Sequence, residues 1–308
     1  MNHHQRLSFA AGSRSRDPHG YRVSEDFSLD RFTQLKRNLP VIQQLVDNEP
    51  IIINAYPADL GIANLGTHID TYLHPVTFVR ACRLAALQHR PVVFVAQPVV
   101  GVEFLLFLLE EGFEIPENIT WISGGYYYPQ SLESFAKKMM KQAGCDLSII
   151  HSYGVAEVGH TCFVALRRSG DGQPMYQQVV DDIKVILNES AELSLAKGEV
   201  QIATGETAKF TEGYWTITNS PDRLCDQVKS MLEGFTSDQW RRFTGRTNWK
   251  NNELVFQLRQ GLQTARENEC GYYEFWNQFG GGLTYKPCWG NPTSSRLPDR
   301  ENLATSFG

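Results

Sequence analysis

The sequence predicts an α/β protein: a doubly wound, mixed but mainly parallel sheet with helices on both faces, followed by a smaller β-rich subdomain. Three observations predict it. From about residue 28, short apolar runs alternate with segments of helical periodicity, the pattern of a parallel sheet with crossover helices. The run Pro91 to Val95 is apolar throughout rather than alternating, as strands covered on both faces are. Beyond about Val164 the pattern changes to shorter strands joined by Gly, Asn and Asp turns. With 308 residues the chain is long enough to bury a sizeable core.

The elements follow in order. Ser28 is placed to cap a helix running toward Val46, which Pro40 should break or kink because proline removes a backbone donor and clashes with the preceding turn. Ile51-Ile52-Ile53 is an apolar run of strand length, and Val76 to Gln88 carries apolar residues at helical spacing. Pro91-Val92-Val93-Phe94-Val95 has the β-branched character of a strand buried on both faces. Val102 to Glu111 is helical and should stop at Gly112, a C-cap. Ile119-Thr120-Trp121-Ile122 is a strand, Ser131 to Lys141 a helix and Leu147-Ser148-Ile149-Ile150 a strand again. Gly198 to Ala203 alternates polar and apolar residues, and Asn251-Asn252 before Leu254-Val255-Phe256 suggests a hairpin. The stretch from Gln260 to Gly308 is rich in Gly, Asn, Pro and aromatics, and we expect it to be irregular and partly loose.

Composition narrows the function. Hydrophobic content of 42%, charged content of 20% and a net charge of -5 are those of an ordinary globular protein without an electrostatic footprint for nucleic acid. The basic residues are scattered except for Arg14, Arg16 and Arg22. The first residues are polar rather than charged and then apolar. The most apolar stretch, from Pro91 to Leu109, is interrupted by Gln97, Pro98, Gly101 and Glu103, so neither a leader nor a membrane span is expected and the protein should be cytoplasmic. The six cysteines, Cys82, Cys145, Cys162, Cys225, Cys270 and Cys288, lie far apart and should be reduced, buried thiols.

The segment carrying most chemistry is Ser152-Tyr153-Gly154-Val155-Ala156-Glu157-Val158-Gly159, after an apolar strand. Ligands of open α/β sheets bind outside the carboxyl ends of strands. A ring there can wall a pocket, a glycine lets backbone approach the ligand, and a carboxylate can hold Mg²⁺ against phosphate. Upstream, Trp121-Ile122-Ser123-Gly124-Gly125 is a second strand ending in small residues. Downstream come Gly198-Glu199, Thr204-Gly205, Gly213-Tyr214-Trp215 and Phe243-Thr244-Gly245-Arg246, and then Leu254-Val255-Phe256 leading to Arg259.

Taken together and in this order, these motifs resemble those of the acyl-adenylate-forming (AMP-binding) superfamily over roughly Phe9 to Arg259. In layout the chain is similar to proteins of the phenylacetate-CoA-ligase and acyl-protein-synthetase kinds. Tyr153-Gly154-Val155-Ala156-Glu157 resembles the family's Y-G-x-x-E motif and Gly124-Gly125 its adenine loop. The resemblance implies a large domain over residues 1–259, of which about 1–165 form the α/β part and about 166–259 the β-rich part. It also implies a tail over 260–308 in place of the family's mobile C-terminal domain, and we expect Tyr272, Tyr273, Phe275 and Trp276 of that tail to pack on the main domain.

The function so implied is ATP-dependent activation of a small or aromatic carboxylic acid as an acyl-AMP, with ATP and Mg²⁺ as cofactors. Glu157 would act with Tyr153 in catalysis and would hold the metal. Ser13, Arg14, Ser15, Gly124, Gly125, Tyr153, Gly154, Arg246 and Arg259 would bind the nucleotide. Tyr126, Tyr127, Tyr128 and Gly154 would line the acid pocket. The acyl acceptor is open and could be a carrier protein; no nucleic-acid or membrane partner is expected.

Departures from the family pattern keep two alternatives in view. In Phe9 to Gly20, alanine replaces hydroxyl residues of the phosphate loop, and His19 stands where the family has lysine. Arg246 replaces the family's ribose-binding aspartate and has no acceptor atom. Lys286 is the only lysine after Lys250 and stands in no counterpart of the family's adenylation-lysine motif. These favour a non-catalytic relative that binds a small acid or a partner protein. A third reading is an acyl-protein synthetase that transfers the acyl group to a cysteine near the C-terminus, Cys288 or Cys270.

Overall fold

The computed structural model describes residues 6–8, 22–24, 29–55, 67–71, 74–111, 114–124, 128, 130–155 and 158–218. Ser28, Gly112, the hairpin at Asn251-Asn252, Cys225, Cys270, Cys288 and the aromatic residues of the tail lie outside them. Two short strands, β1 (Arg6–Ser8) and β2 (Arg22–Ser24), pair antiparallel. Helices α1 (Leu29–Asn38) and α2 (Pro40–Asp47) follow. The expected break falls at Leu39, whose extended backbone (φ -133°, ψ 91°) is what a following proline imposes. Pro40 itself opens α2, where its missing N–H costs no helical bond.

The α/β part then runs β3 (Ile51–Ala55), β4 (Thr67–Asp70), α3 (Pro75–Leu87), β5 (Val92–Ala96), α4 (Pro98–Glu111), β6 (Asn118–Ser123), α5 (Gln130–Gln142) and β7 (Asp146–Val155). It is followed by β8 (Gly159–Arg168), β9 (Pro174–Gln178), β10 (Lys184–Leu187), β11 (Glu192–Lys197), β12 (Val200–Thr211) and β13 (Tyr214–Thr218). Helix α4 begins four residues before the expected Val102, because Pro98 is a good first residue and Gly101 is tolerated inside the helix. All strands from β3 onward form one 11-stranded sheet in the order β10-β11-β12-β13-β9-β8-β7-β6-β5-β3-β4. Neighbours from β4 to β7 are parallel, and those beyond β7 are antiparallel. The β-rich half thus continues the sheet of the α/β half.

The crossovers β4-α3-β5, β5-α4-β6 and β6-α5-β7 all step in one direction along the sheet. Crossovers of one hand must then put their helices on one face. The core agrees: Ile51, Ile53, Val92, Phe94, Ile119, Trp121, Leu147 and Ile149 pack with residues of α3, α4 and α5. The alternate positions Ile52, Val93, Val95 and Ile150 join Ile42 of α2 and residues of the antiparallel strands in a second cluster. Strands β3 and β5 are therefore buried at every position, as the apolar runs Ile51 to Ile53 and Val92 to Ala96 require, with Asn54 buried among them in β3. A chain of rings runs through the first cluster. Phe78 meets Phe94 at 4.5 Å, Phe94 meets Trp121 at 5.7 Å, and Trp121 meets Tyr128 at 5.0 Å between centroids. Trp121 lies against α4 at Gly101, where a Cβ would come within 1.9 Å of the indole, so only glycine fits. Its indole N–H donates to the carbonyl of Ala96 at 3.1 Å.

Candidate functional site

The carboxyl ends of β6 and β7 lie side by side on the edge where open α/β sheets bind their ligands. The parallel register ends with Ser123 opposite His151. Beyond it, a Cβ on Gly124 would stand 3.0 Å from the carbonyl oxygen of Ser152. The two motifs that look unrelated along the chain are thus in contact, and glycine at position 124 is what lets them meet. The Ser123 hydroxyl is buried at the same point and has no hydrogen-bond partner among the described residues. A buried hydroxyl without a partner is costly in a finished core and fits a polar ligand group.

Tyr153 and Gly154 do not lie in a loop, as expected, but within β7. The reason is β8, which turns back antiparallel and pairs with His151 to Val155, so that the chain stays extended after β6 has ended. The register slips between Tyr153 and Val155, so Gly154 sits at an irregularity of the ladder. The Ser152 hydroxyl lies 3.1 Å from that of Thr161 across this irregular stretch.

The Tyr153 ring packs near Phe163 and Tyr176, with centroids 5.9 and 6.0 Å away, and its hydroxyl donates to the buried carboxyl of Glu206 on β12. Glu206 follows Thr204-Gly205, the pair noticed in the sequence. The fully buried Thr204 hydroxyl donates to the Leu193 carbonyl at 2.9 Å and accepts from the Glu206 backbone N–H at 3.2 Å. Glu206 was not legible as a site residue, because an acidic residue in an alternating strand reads as solvent-facing.

Tyr128 is buried in the first core cluster, with its ring edge-on to His151 at 5.8 Å. Gly124, Tyr128, Tyr153 and Gly154 are the candidates that the structure describes, and all lie on or next to the ends of β6 and β7. Ser13, Arg14, Ser15, Gly125, Tyr126, Tyr127, Glu157, Arg246 and Arg259 lie outside the described residues. Among the described residues no group of three or more His, Cys, Asp or Glu side chains could hold a metal ion.

The most ionic feature of this region escaped the sequence reading. The Glu133 carboxylate, in the first turn of α5, accepts from Arg168 Nε at 2.6 Å, His151 Nε2 at 3.0 Å and Lys137 Nζ at 2.6 Å. Arg168 also donates through Nη1 to the Gly172 carbonyl at 2.7 Å and through Nη2 to the Tyr128 carbonyl at 2.5 Å. Arg168 and Glu133 side chains are each only 9% exposed, and that of His151 is 5% exposed. Burial alone would raise the Glu133 carboxyl, but hydrogen bonds from His151 and Lys137 and the adjacent positive charge of Arg168 hold it far below the usual carboxylate range. Burial pushes His151 below its ordinary value; Glu133 opposes this, and the charges of Arg168 and Lys137 add to it. The imidazole is thus neutral near pH 7, with its proton on Nε2, since a carboxylate can only accept. The available signals were Glu133 and Lys137 at helical i,i+4 spacing and a histidine ending an apolar strand.

Cys82, Cys145 and Cys162 are buried and form no disulfide, as expected. Burial and the Asp146 charge push the Cys145 thiol up to about 12, and burial raises Cys82 as well, so neither is a nucleophile at neutral pH. Among the described residues no helix is long and apolar enough to cross a membrane.

No known sequence-family model matches the chain, and no curated protein matches it. Solved structures do resemble it. One is an acyl-CoA synthetase (AMP-forming)/AMP-acid ligase II-like protein from Dyadobacter fermentans, at 11% identity and a TM-score of 0.38, covering 73% of this chain and 76% of that one. Another is an anthranilate CoA ligase in complex with anthranoyl-AMP, at 13% identity and a TM-score of 0.38, covering 61% of this chain. A third is a luciferase-like enzyme from the nonluminescent mealworm Zophobas morio, at 10% identity and a TM-score of 0.38, also covering 61% of this chain. This chain spans 43% of the second protein and 52% of the third.

Proposed function

We propose that the chain binds ATP at the carboxyl edge of β6 and β7 and activates a small or aromatic carboxylic acid as an acyl-AMP. The observation that carries this reading is the junction of the two motifs: Gly124 lies against the Ser152 backbone, beside the buried hydroxyl of Ser123, which has no partner among the described residues. This is a cradle that a Cβ would fill, with a polar group left over for a ligand. In the proposed reaction a carboxylate oxygen of the acid attacks the α-phosphorus, the bond to the bridging oxygen breaks, and pyrophosphate leaves. Catalysis of such a step is mostly positioning and charge neutralisation. Gly124 and Gly125 would receive the adenine, Tyr153 would border nucleotide and acid, and Ser13, Arg14 and Ser15 would meet phosphate oxygens. Arg246 and Arg259 would lie against the nucleotide. Glu157 would hold Mg²⁺, which supplies neutralisation of phosphate charge. Tyr126, Tyr127 and Tyr128 would narrow the acid pocket.

The test is ATP–pyrophosphate exchange with a panel of small and aromatic acids. Acid-dependent exchange is expected, and Glu157→Gln should abolish it while barely changing the melting temperature. Exchange that survives in Glu157→Gln would remove the metal role. A second reading, a fold that binds a small acid or partner protein without catalysis, is favoured by one observation: the Tyr153 hydroxyl is already engaged by Glu206. Absence of exchange with every acid, together with saturable binding of an aromatic acid alone, would select it.

A further inference from the structure

We infer that Glu206 is the positioning residue for the Tyr153 ring: it holds the Tyr153 hydroxyl from across a curled sheet, so that Tyr153 meets a ligand with its ring rather than its hydroxyl. Naming that ligand as a nucleotide rests on the reading above; the anchoring of the ring does not.

Strands β8, β9 and β13 lie between β7 and β12 in the sheet. In a flat sheet Tyr153 and Glu206 would therefore stand about four strand spacings apart, roughly 19 Å. The Tyr153 hydroxyl nevertheless donates to the Glu206 carboxyl, so the antiparallel half curls until β12 faces β7. Ile150 of β7 accordingly shares one apolar cluster with Tyr176, Leu195, Ala208 and Ile217 of the antiparallel strands.

Both ends of this bond stand at ladder irregularities of the same form. Between the pairs Glu192–Thr207 and Ser194–Ala203, β11 contributes one residue, Leu193, and β12 three, Thr204, Gly205 and Glu206. A bulge of this kind bends its strand and re-aims its side chains. Gly205 has a φ of 72°, which favours glycine, and the Thr204 hydroxyl bonds both the Leu193 carbonyl at 2.9 Å and the Glu206 backbone N–H at 3.2 Å. The bulge is thus fixed from both of its strands, and Glu206 is buried with its carboxyl on Tyr153. At the other end, the pairs Tyr153–Phe163 and Val155–Gly159 leave Gly154 of β7 opposite three residues of β8. Tyr153 follows Ser152, whose backbone lies against Gly124, and it is half-buried near the rings of Phe163 and Tyr176. An apolar residue at position 206 would close the curl at less cost, since a buried carboxyl must be desolvated. What the carboxyl adds is an acceptor at a fixed point.

Glu206→Met and Glu206→Gln separate anchoring from packing. Methionine keeps the length and removes the carboxyl acceptor, whereas glutamine keeps an acceptor oxygen. The full chain and its variants are labelled with 3-fluorotyrosine, the fluorine NMR resonance of Tyr153 is identified by its absence in Tyr153→Phe, and each protein is titrated calorimetrically with ATP·Mg²⁺. In Glu206→Met the Tyr153 resonance is expected to move and ATP binding to weaken about tenfold, the size of one net hydrogen bond, with Glu206→Gln recovering most of both. Tyr153→Phe should bind ATP as weakly as Glu206→Met, and the double variant no more weakly than either. An unmoved Tyr153 resonance in a folded Glu206→Met overturns the inference. So does a loss of binding in Tyr153→Phe while Glu206→Met binds like the parent, for then the hydroxyl itself meets the ligand. If the parent does not bind ATP, the nucleotide reading fails by itself, and a moved resonance with recovery by Glu206→Gln still sustains the anchoring. Should Glu206→Met fail to fold, Gly205→Ala, which strains the bulge that aims the carboxyl, must move the same resonance.

Discussion

Strand β7 belongs to two kinds of sheet, and its halves show what each half of the molecule relies on. From Asp146 to His151 it pairs parallel with β6; from His151 to Val155 it pairs antiparallel with β8. On the parallel side β3 and β5 are buried at every position, whereas on the antiparallel side β12 alternates exposed and buried residues over much of its length. The parallel half is stabilised by apolar burial on two faces. On the antiparallel side β12 buries one face, and its Glu206, whose backbone N–H is held by Thr204, reaches back to Tyr153. Polar and charged groups gather where the two regimes meet: Ser123, Glu133, His151, Arg168 and the Tyr153–Glu206 pair.

The largest expected effect breaks the junction itself. Arg168→Met leaves the buried Glu133 carboxylate without the more buried of its two cationic partners, and removing one partner of a buried pair typically costs about 3–5 kcal/mol. Urea unfolding at pH 7 would read this directly. A loss below about 1 kcal/mol, the range of an exposed pair, would show that this pair does not hold the junction together.

Acid should find the same weak point. His151 is held below its ordinary value of 6.5, so the unfolded chain takes up its proton first and stability begins to fall as pH drops below about 6.5. Glu133 is depressed from its ordinary value of 4.5, so the stability it contributes is present above that pH and is lost on further acidification. Both groups act in the same direction. Melting temperatures measured from pH 8 to pH 4 should therefore decline in two stages, and His151→Gln should remove the upper one. A profile unchanged by His151→Gln would mean that another group controls it.

A smaller effect sharpens the contrast between the halves. Ile53→Val removes a methylene packed under two helices and should cost about 0.5–1.5 kcal/mol. Ile202→Val, at a partly buried position of β12 on the margin of the second core cluster, should fall at or below the low end of that range, about 0.5 kcal/mol. Equal costs in chemical denaturation would contradict the two-face against one-face account.

The parallel half was legible in the sequence because its physics is local. A strand covered on both faces is mostly apolar, and Ile51-Ile52-Ile53 and Val92-Val93-Phe94-Val95 carry that signal without any help from the rest of the chain. Pro40 marked its helix break for an equally local reason. The extension of β7 was not legible, since Ser152-Tyr153-Gly154-Val155 is extended only because β8 returns to pair with it. Part of the site could be read from strand ends and small residues, which located Gly124 and Tyr153. The Glu133–His151–Arg168 cluster could not, because its members come from one helix and two strands, and their meeting depends on the order of strands in the sheet. Glu206 was hidden for the same reason.

The central claim is that the contact between Gly124 and the Ser152 backbone forms a nucleotide cradle. Calorimetric titration of ATP·Mg²⁺ into the full chain and into Gly124→Ala tests it most directly. The added methyl group would meet the Ser152 carbonyl at about the closest distance a Cβ tolerates. The account predicts saturable single-site binding by the parent, and binding weakened at least tenfold, roughly 1.4 kcal/mol, in a variant with an unchanged circular-dichroism spectrum. Equal affinity in the two proteins, or no saturable binding by the parent, would contradict it.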